Sequence, residues 1–153
     1  MIHQHSQPDY QERLQREHKV LAELLQSTRV AVESAETSEQ QLRRLILEIV
    51  HRVCGHFWHE EKDGYMRPVI EAAPQLAHAA EELRAQHAHL LDELESLRQL
   101  VESPASATSG KPEEARLKLR DAYQQFLRHY MAHEAAEDAL MQEAFQSDVA
   151  AGD

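Results

Sequence analysis

Four of the eleven histidines in this 153-residue chain stand where a helical wheel turns them inward. His18 lies four residues after Leu14 and three before Leu21. His56 lies three after Val53, His87 stands between Leu83 and Leu90, and His133 stands between Tyr130 and Glu137. Two of them have a glutamate one turn on and on the same face: Glu60 after His56, and Glu137 after His133. A single inward histidine is ordinarily a hydrogen-bonded core residue. The set is different, because Glu is almost never fully buried alone and a buried unpaired charge is strongly destabilising. Two inward glutamates and four inward histidines at one level need a compensating centre. A pair of divalent or trivalent cations supplies it, with neutral imidazoles donating lone pairs and carboxylates bridging and balancing charge. Six donors exceed what one tetrahedral zinc takes, and a lone cysteine, Cys54, favours nitrogen and oxygen ligation over a thiolate site. Carboxylate–histidine sites in bundle cores hold iron or manganese. Spacing alone does not exclude zinc.

Six donors share a level only if long helices carry them. The chain has four glycines and five prolines, too few for the turn chemistry of an all-β fold. These breakers cluster and leave four amphipathic segments. Residues 1–8 read as a flexible leader ending at Pro8. The first helix is expected from Asp9 to about Ser34, with Leu14, Leu21, Leu25 and Thr28/Val32 inward. Thr37 and Ser38, with Gln40 and Gln41 three residues on, resemble a capping box that opens the second helix. That helix presents Leu42, Leu45, Ile49, Val53 and His56, and ends near Asp63-Gly64. Pro68 and Pro74 bracket a connection with room for one helical turn. The third helix starts near Pro74, where a missing N–H matters least, and presents Leu76, Ala80, Leu83, His87, Leu90, Leu94, Leu97 and Val101. A low-complexity loop follows over 103–112. The fourth helix runs from about Pro112 to Gln146, with Leu119, Tyr123, Phe126, Tyr130, His133, Glu137 and Leu140 inward, and 147–153 read as a flexible tail. The expected architecture over 9–146 is all-α, an up-down-up-down four-helix bundle. An internal echo points to pseudo-twofold symmetry. Residues 16–24 parallel 85–94 and residues 56–61 parallel 133–138, so the first helix matches the third and the second matches the fourth.

One His, then His-x-x-x-Glu, then one His, then His-x-x-x-Glu, on four successive helices, resembles the hemerythrin-like (HHE cation-binding) domain from about residue 9 to 146. The resemblance implies a non-haem di-iron centre with an oxo or hydroxo bridge. Its ligands would be His18, His56, Glu60, His87, His133 and Glu137, with Glu60 and Glu137 bridging. The chain departs from the oxygen-carrying members, which have a second histidine one turn after the third-helix ligand; here that position is Leu91. They also have His-x-x-x-x-Asp on the last helix. Asp138 follows His133 at that spacing, beside Glu137, so either acid fits the bridging place. His59 and Tyr130, each one turn from a ligand, are substitute donors to weigh. The departure counts against simple reversible oxygen carriage. The expected function is binding of a small diatomic ligand, dioxygen or nitric oxide, for sensing, storage or stress protection. The alternatives are an iron-handling or peroxide/nitric-oxide-reducing enzyme, and a metal-free or zinc/manganese-binding interaction bundle.

Composition narrows the partners. Twenty-seven acidic against sixteen basic residues, a net charge of -11, argue against nucleic-acid binding, which needs positive potential. No run of about 18 apolar residues exists to span a membrane, and the N-terminus lacks the apolar stretch of a signal peptide. A single Cys54 fits a reducing cytoplasm, and its place within a helix of an acidic chain argues against an activated thiol. Leu47, Cys54 and Trp58 form a strip that suits a homodimer or partner-helix contact, and equally partial burial in the monomer. Leu90, Leu91 and Phe57 are expected to keep water from the metals, and Tyr130 to support them by a hydrogen bond. His78, His89 and His129 fall off the inward stripes, and His3 and His5 lie in the leader. Gly55 fits a close helix approach, a local bulge or a merely tolerated helix glycine.

Overall fold

A computed structural model describes the backbone of residues 7–102 and 112–152, and the side chains of 9–102 and 112–146. Every regular element among them is helical. In chain order these are α1 (Gln7–Glu33), α2 (Glu39–Glu61), the short α3 (Arg67–Ala72), a 3-10 turn (Pro74–Leu76), α4 (Ala77–Glu102) and α5 (Pro112–Gly152). The four long helices pack as a closed ring: α1 on α2, α2 on α4, α4 on α5, and α5 on α1. None of the described helices is long and apolar enough to cross a membrane.

The helix ends follow local chemistry. Ser38 caps α2, its Oγ accepting from the Gln41 N–H at 3.1 Å, as the capping box implies. α1 begins at Gln7, which places Pro8 in the first turn, where the ring removes no needed hydrogen bond. Residues 1–6, with His3 and His5, and the 103–111 connection lie outside the described residues. The last helix is longer than its inward stripe: α5 continues past Gln146 to Gly152, so 147–152 is helical rather than a separate tail. The sequence after Leu140 has no proline and no glycine before Gly152 to stop it.

Burial matches the stripes with one shift. Ile46 is fully buried and Leu45 only partly, so α2 buries Leu42, Ile46, Ile49 and Val53 at alternating steps of four and three. The core divides into two apolar clusters. One gathers Leu21, Leu25, Ile49, Val53, Phe57, Leu90, Leu94, Phe126 and Tyr130. The other gathers Leu14, Tyr65, Met66, Val69, Leu83, Leu140 and Met141, and so draws in α3 and the segment before it. Gly64 (φ 96°) and Met66 (φ 54°) turn the chain sharply there. A left-handed methionine is strained, and full burial of its side chain holds it in place.

Gly55 brings no helix close. A Cβ built on it meets no atom within 4 Å, and α2 runs through it unbroken, so it is a tolerated helix glycine. Gly55→Ala is therefore expected to stabilise the protein by about 0.5–1 kcal/mol, through the backbone entropy that glycine loses on folding. Urea denaturation checks this, and a lower midpoint would contradict it.

Candidate metal centre

The six donors form a polar layer between the two apolar clusters. His18 sits between Leu14 and Leu21, His87 between Leu83 and Leu90, and His133 and Glu137 between Tyr130 and Leu140, each pair of neighbours divided between the clusters. All four histidines and Glu137 are buried, and the Glu60 side chain is only 3% exposed. Each helix of the ring contributes one histidine, and α2 and α5 add one glutamate each.

The imidazoles aim the same nitrogen inward. His18 Nε2 is 3.2 Å from Glu137 Oε1, and His133 Nε2 is 3.5 Å from Glu137 Oε2. His56 Nε2 is 3.2 Å and His87 Nε2 3.6 Å from Glu60 Oε1. The donors fall into two groups, His18, His56, Glu60 and Glu137, and His87, His133 and Glu137, with Glu137 in both. All four Nε2 atoms, both Glu60 oxygens and Glu137 Oε1 are buried with no hydrogen-bond partner. Buried polar atoms are ordinarily paired, so these residues fit a bound cation.

The outer nitrogens face a second ring. His18 Nδ1 hydrogen-bonds Asp138 at 3.0 Å and His133 Nδ1 hydrogen-bonds Gln86 at 2.8 Å, while Glu17 and Glu61 stand 3.4 Å from His56 Nδ1 and His87 Nδ1 without a formed hydrogen bond at His87. The acceptors behind His18 and His133 put the proton on Nδ1 and leave Nε2 free to donate its lone pair inward. This ring obeys the echo in the sequence. Glu17 and Gln86 precede His18 and His87, and Glu61 and Asp138 follow Glu60 and Glu137.

Protons govern the layer when no cation fills it. Burial, with Glu137 beside it, pushes Glu60 up to about 11. Burial also disfavours the Glu137 carboxylate, but the close imidazoles of His133 and His18 outweigh it and hold the group below the usual carboxylate range. Burial works against the His18 charge, yet Asp138 and Glu137 push that imidazole up to about 10. Burial and then the His18 charge bring His56 down to about 4, while burial and His133 lower His87. A bound cation favours the deprotonated forms of Glu60 and His18, so its uptake opposes both upward shifts.

Several expectations change. Leu91 is 36% exposed and walls nothing, because it lies one step past Leu90, which is buried. His59 is exposed, edge-on to Trp58, and stays out of the centre. Asp138 lies outside the layer as the partner of His18, which leaves Glu137 as the inward acid of α5. Phe57 does line the site, stacked on His87 at 4.1 Å between ring centres. Trp58 is 63% exposed with Lys62 over its ring, and burial raises the Cys54 thiol, so it is a poor nucleophile.

Sequence patterns missed two features. Tyr65, in the connection after α2, donates a hydrogen bond to Glu137 Oε2 at 2.6 Å and sets its ring edge-on to His87. No periodicity marks it, because the strained turn at Gly64–Met66 delivers it. Glu134 is buried beside the layer, and burial pushes its carboxyl up to about 7. Burial and the nearby Glu134 likewise raise Tyr130.

The family model described as Hemerythrin HHE cation binding domain matches residues 9–112. The matched stretch contains His18, His56, Glu60 and His87, whereas His133 and Glu137 lie beyond it on α5. No curated protein and no solved structure matches the chain. The outer ring makes a direct expectation. Asp138→Asn should weaken cation binding, probed with ferrous iron, by about 10–100-fold, the usual effect of removing a partner behind a ligand. Competition against a chelator measures it, with Glu82→Gln, the acid beside exposed His78, as the control. Equal affinities in the two variants would contradict the role given to Asp138.

Proposed function

The chain belongs to the hemerythrin HHE cation-binding family, and from that premise we propose that it is a di-iron protein that binds dioxygen or nitric oxide for sensing, storage or stress protection. The observation that carries this reading is the convergence of four unpartnered Nε2 atoms on the unpartnered Glu60 carboxylate and the free Oε1 of Glu137 in a buried layer. Nitrogen and oxygen donors without thiolate suit iron, and six of them suit a pair of ions better than one. His18 with His56 serves one ion and His87 with His133 the other. Glu137 belongs to both groups, and Glu60 stands between His56 and His87, so both acids fit bridging positions.

Ferrous iron, when bound, supplies electrons to the diatomic ligand. The protein's own part is placement and exclusion. Asp138 and Gln86 fix the His18 and His133 imidazoles, Glu17 and Glu61 face those of His56 and His87, and the Tyr65 hydroxyl holds Glu137 and offers one more oxygen at the centre. Phe57 and Leu90 keep water out. The ring of long helices is read as an up-down-up-down bundle, and the lone Cys54 as a sign of the cytoplasm. Iron counts on protein purified without air test the assignment. Wild type should hold two irons per chain, and His56→Ala and Glu137→Ala should each lose that stoichiometry. Full retention in both variants would sink it. Nitric oxide added to the ferrous protein should change its spectrum saturably, and no change would remove the diatomic ligand from the reading.

A further inference from the structure

The outer face of the α4–α5 pair carries a second group of donors that the buried layer does not use. His89 and Glu93 lie one turn apart on α4, and His129 reaches them from α5. His89 Nε2 is 3.2 Å from Glu93 Oε1, and His129 Nδ1 is 2.8 Å from the same oxygen. One donor atom of each residue lies within 4.8 Å of the other two. The Glu93 side chain is only 16% exposed, while His89 and His129 open to solvent.

We propose that His89, Glu93 and His129 form a second cation site, separate from the buried centre, which takes a borderline divalent ion such as zinc. Zinc binds imidazole nitrogen and carboxylate oxygen at about 2.0–2.2 Å, which sets tetrahedral donors roughly 3.3 Å apart. The two short separations here fall slightly below that spacing, so a small opening of the side chains seats the ion. Three protein ligands and a water complete the coordination. Two donors come from one helix turn and the third from the neighbouring helix, so the ion ties α4 to α5. His78 and Glu82 supply an internal comparison. They make the same contact one turn apart on α4, at 3.2 Å, but no third donor of this kind joins them among the described residues. The site is independent of what the buried layer holds.

Equilibrium dialysis against zinc, with bound metal counted, tests the proposal on three full-length proteins. These are the wild type, a His89→Ala/His129→Ala double variant and a His78→Ala control. All of the changed residues are exposed, and circular dichroism verifies that the helices are intact. The double variant should bind one zinc fewer per chain than the wild type and the control. Equal counts in all three would overturn the proposal. Glu93→Gln, which keeps both imidazoles, should weaken the same zinc about tenfold or more, and an unchanged affinity would count against the carboxylate as a ligand.

Discussion

Two carboxylates and four imidazoles cannot be placed between apolar clusters without something to neutralise and pair them. Almost every other feature answers that constraint. Glu137 is fully buried and Glu60 nearly so, and apart from Glu137 Oε2, which accepts from Tyr65, the inward atoms of the layer find no hydrogen-bond partner in the protein. In the metal-free chain burial favours the neutral form of Glu60, and Asp138 and Glu137 favour the charged form of His18, so protons meet part of the need. Cations meet it better, because one ion engages several lone pairs at once and carries more charge. The long helices, the two flanking clusters and the strained turn that lowers Tyr65 onto Glu137 close the layer from bulk water.

The layer is a twofold device with deliberate breaks. His18 and His87, His56 and His133, Glu60 and Glu137, and their outer partners, all correspond. The residue after each paired histidine does not. Phe57 follows His56 and stacks on His87, whereas Glu134 follows His133 and is a buried acid with its pKa raised. Glu17 is an acid where Gln86 is an amide, and of the two glutamates the Tyr65 hydroxyl bonds only Glu137. The two ends of the layer therefore differ in polarity. A pair of like ions placed there would stand in unlike surroundings.

Much of this is legible in the sequence. Helical periodicity placed His18, His56, His87 and His133 inward with Glu60 and Glu137, because a helix carries its neighbours at fixed angles. The same logic found the Ser38 cap and the apolar stripes, with Leu45 and Ile46 exchanged because adjacent residues straddle the edge of a wide face. The outer ring was present in the echo but unread: Glu17, Glu61 and Gln86 look like solvated polar residues until the neighbouring helix is in place. Tyr65 was not readable, since its position depends on a turn with φ values that no spacing encodes. His89 and His129 were read as solvated, which is true of each alone. Their meeting over Glu93 is a property of the α4–α5 contact and belongs to neither helix.

The most direct test of the account is the absorption spectrum and metal content of protein purified without air and then exposed to it. The account predicts two irons per chain and a charge-transfer band that grows in on oxidation. A chain that retains no iron, or holds a single ion and stays colourless in air, would contradict it.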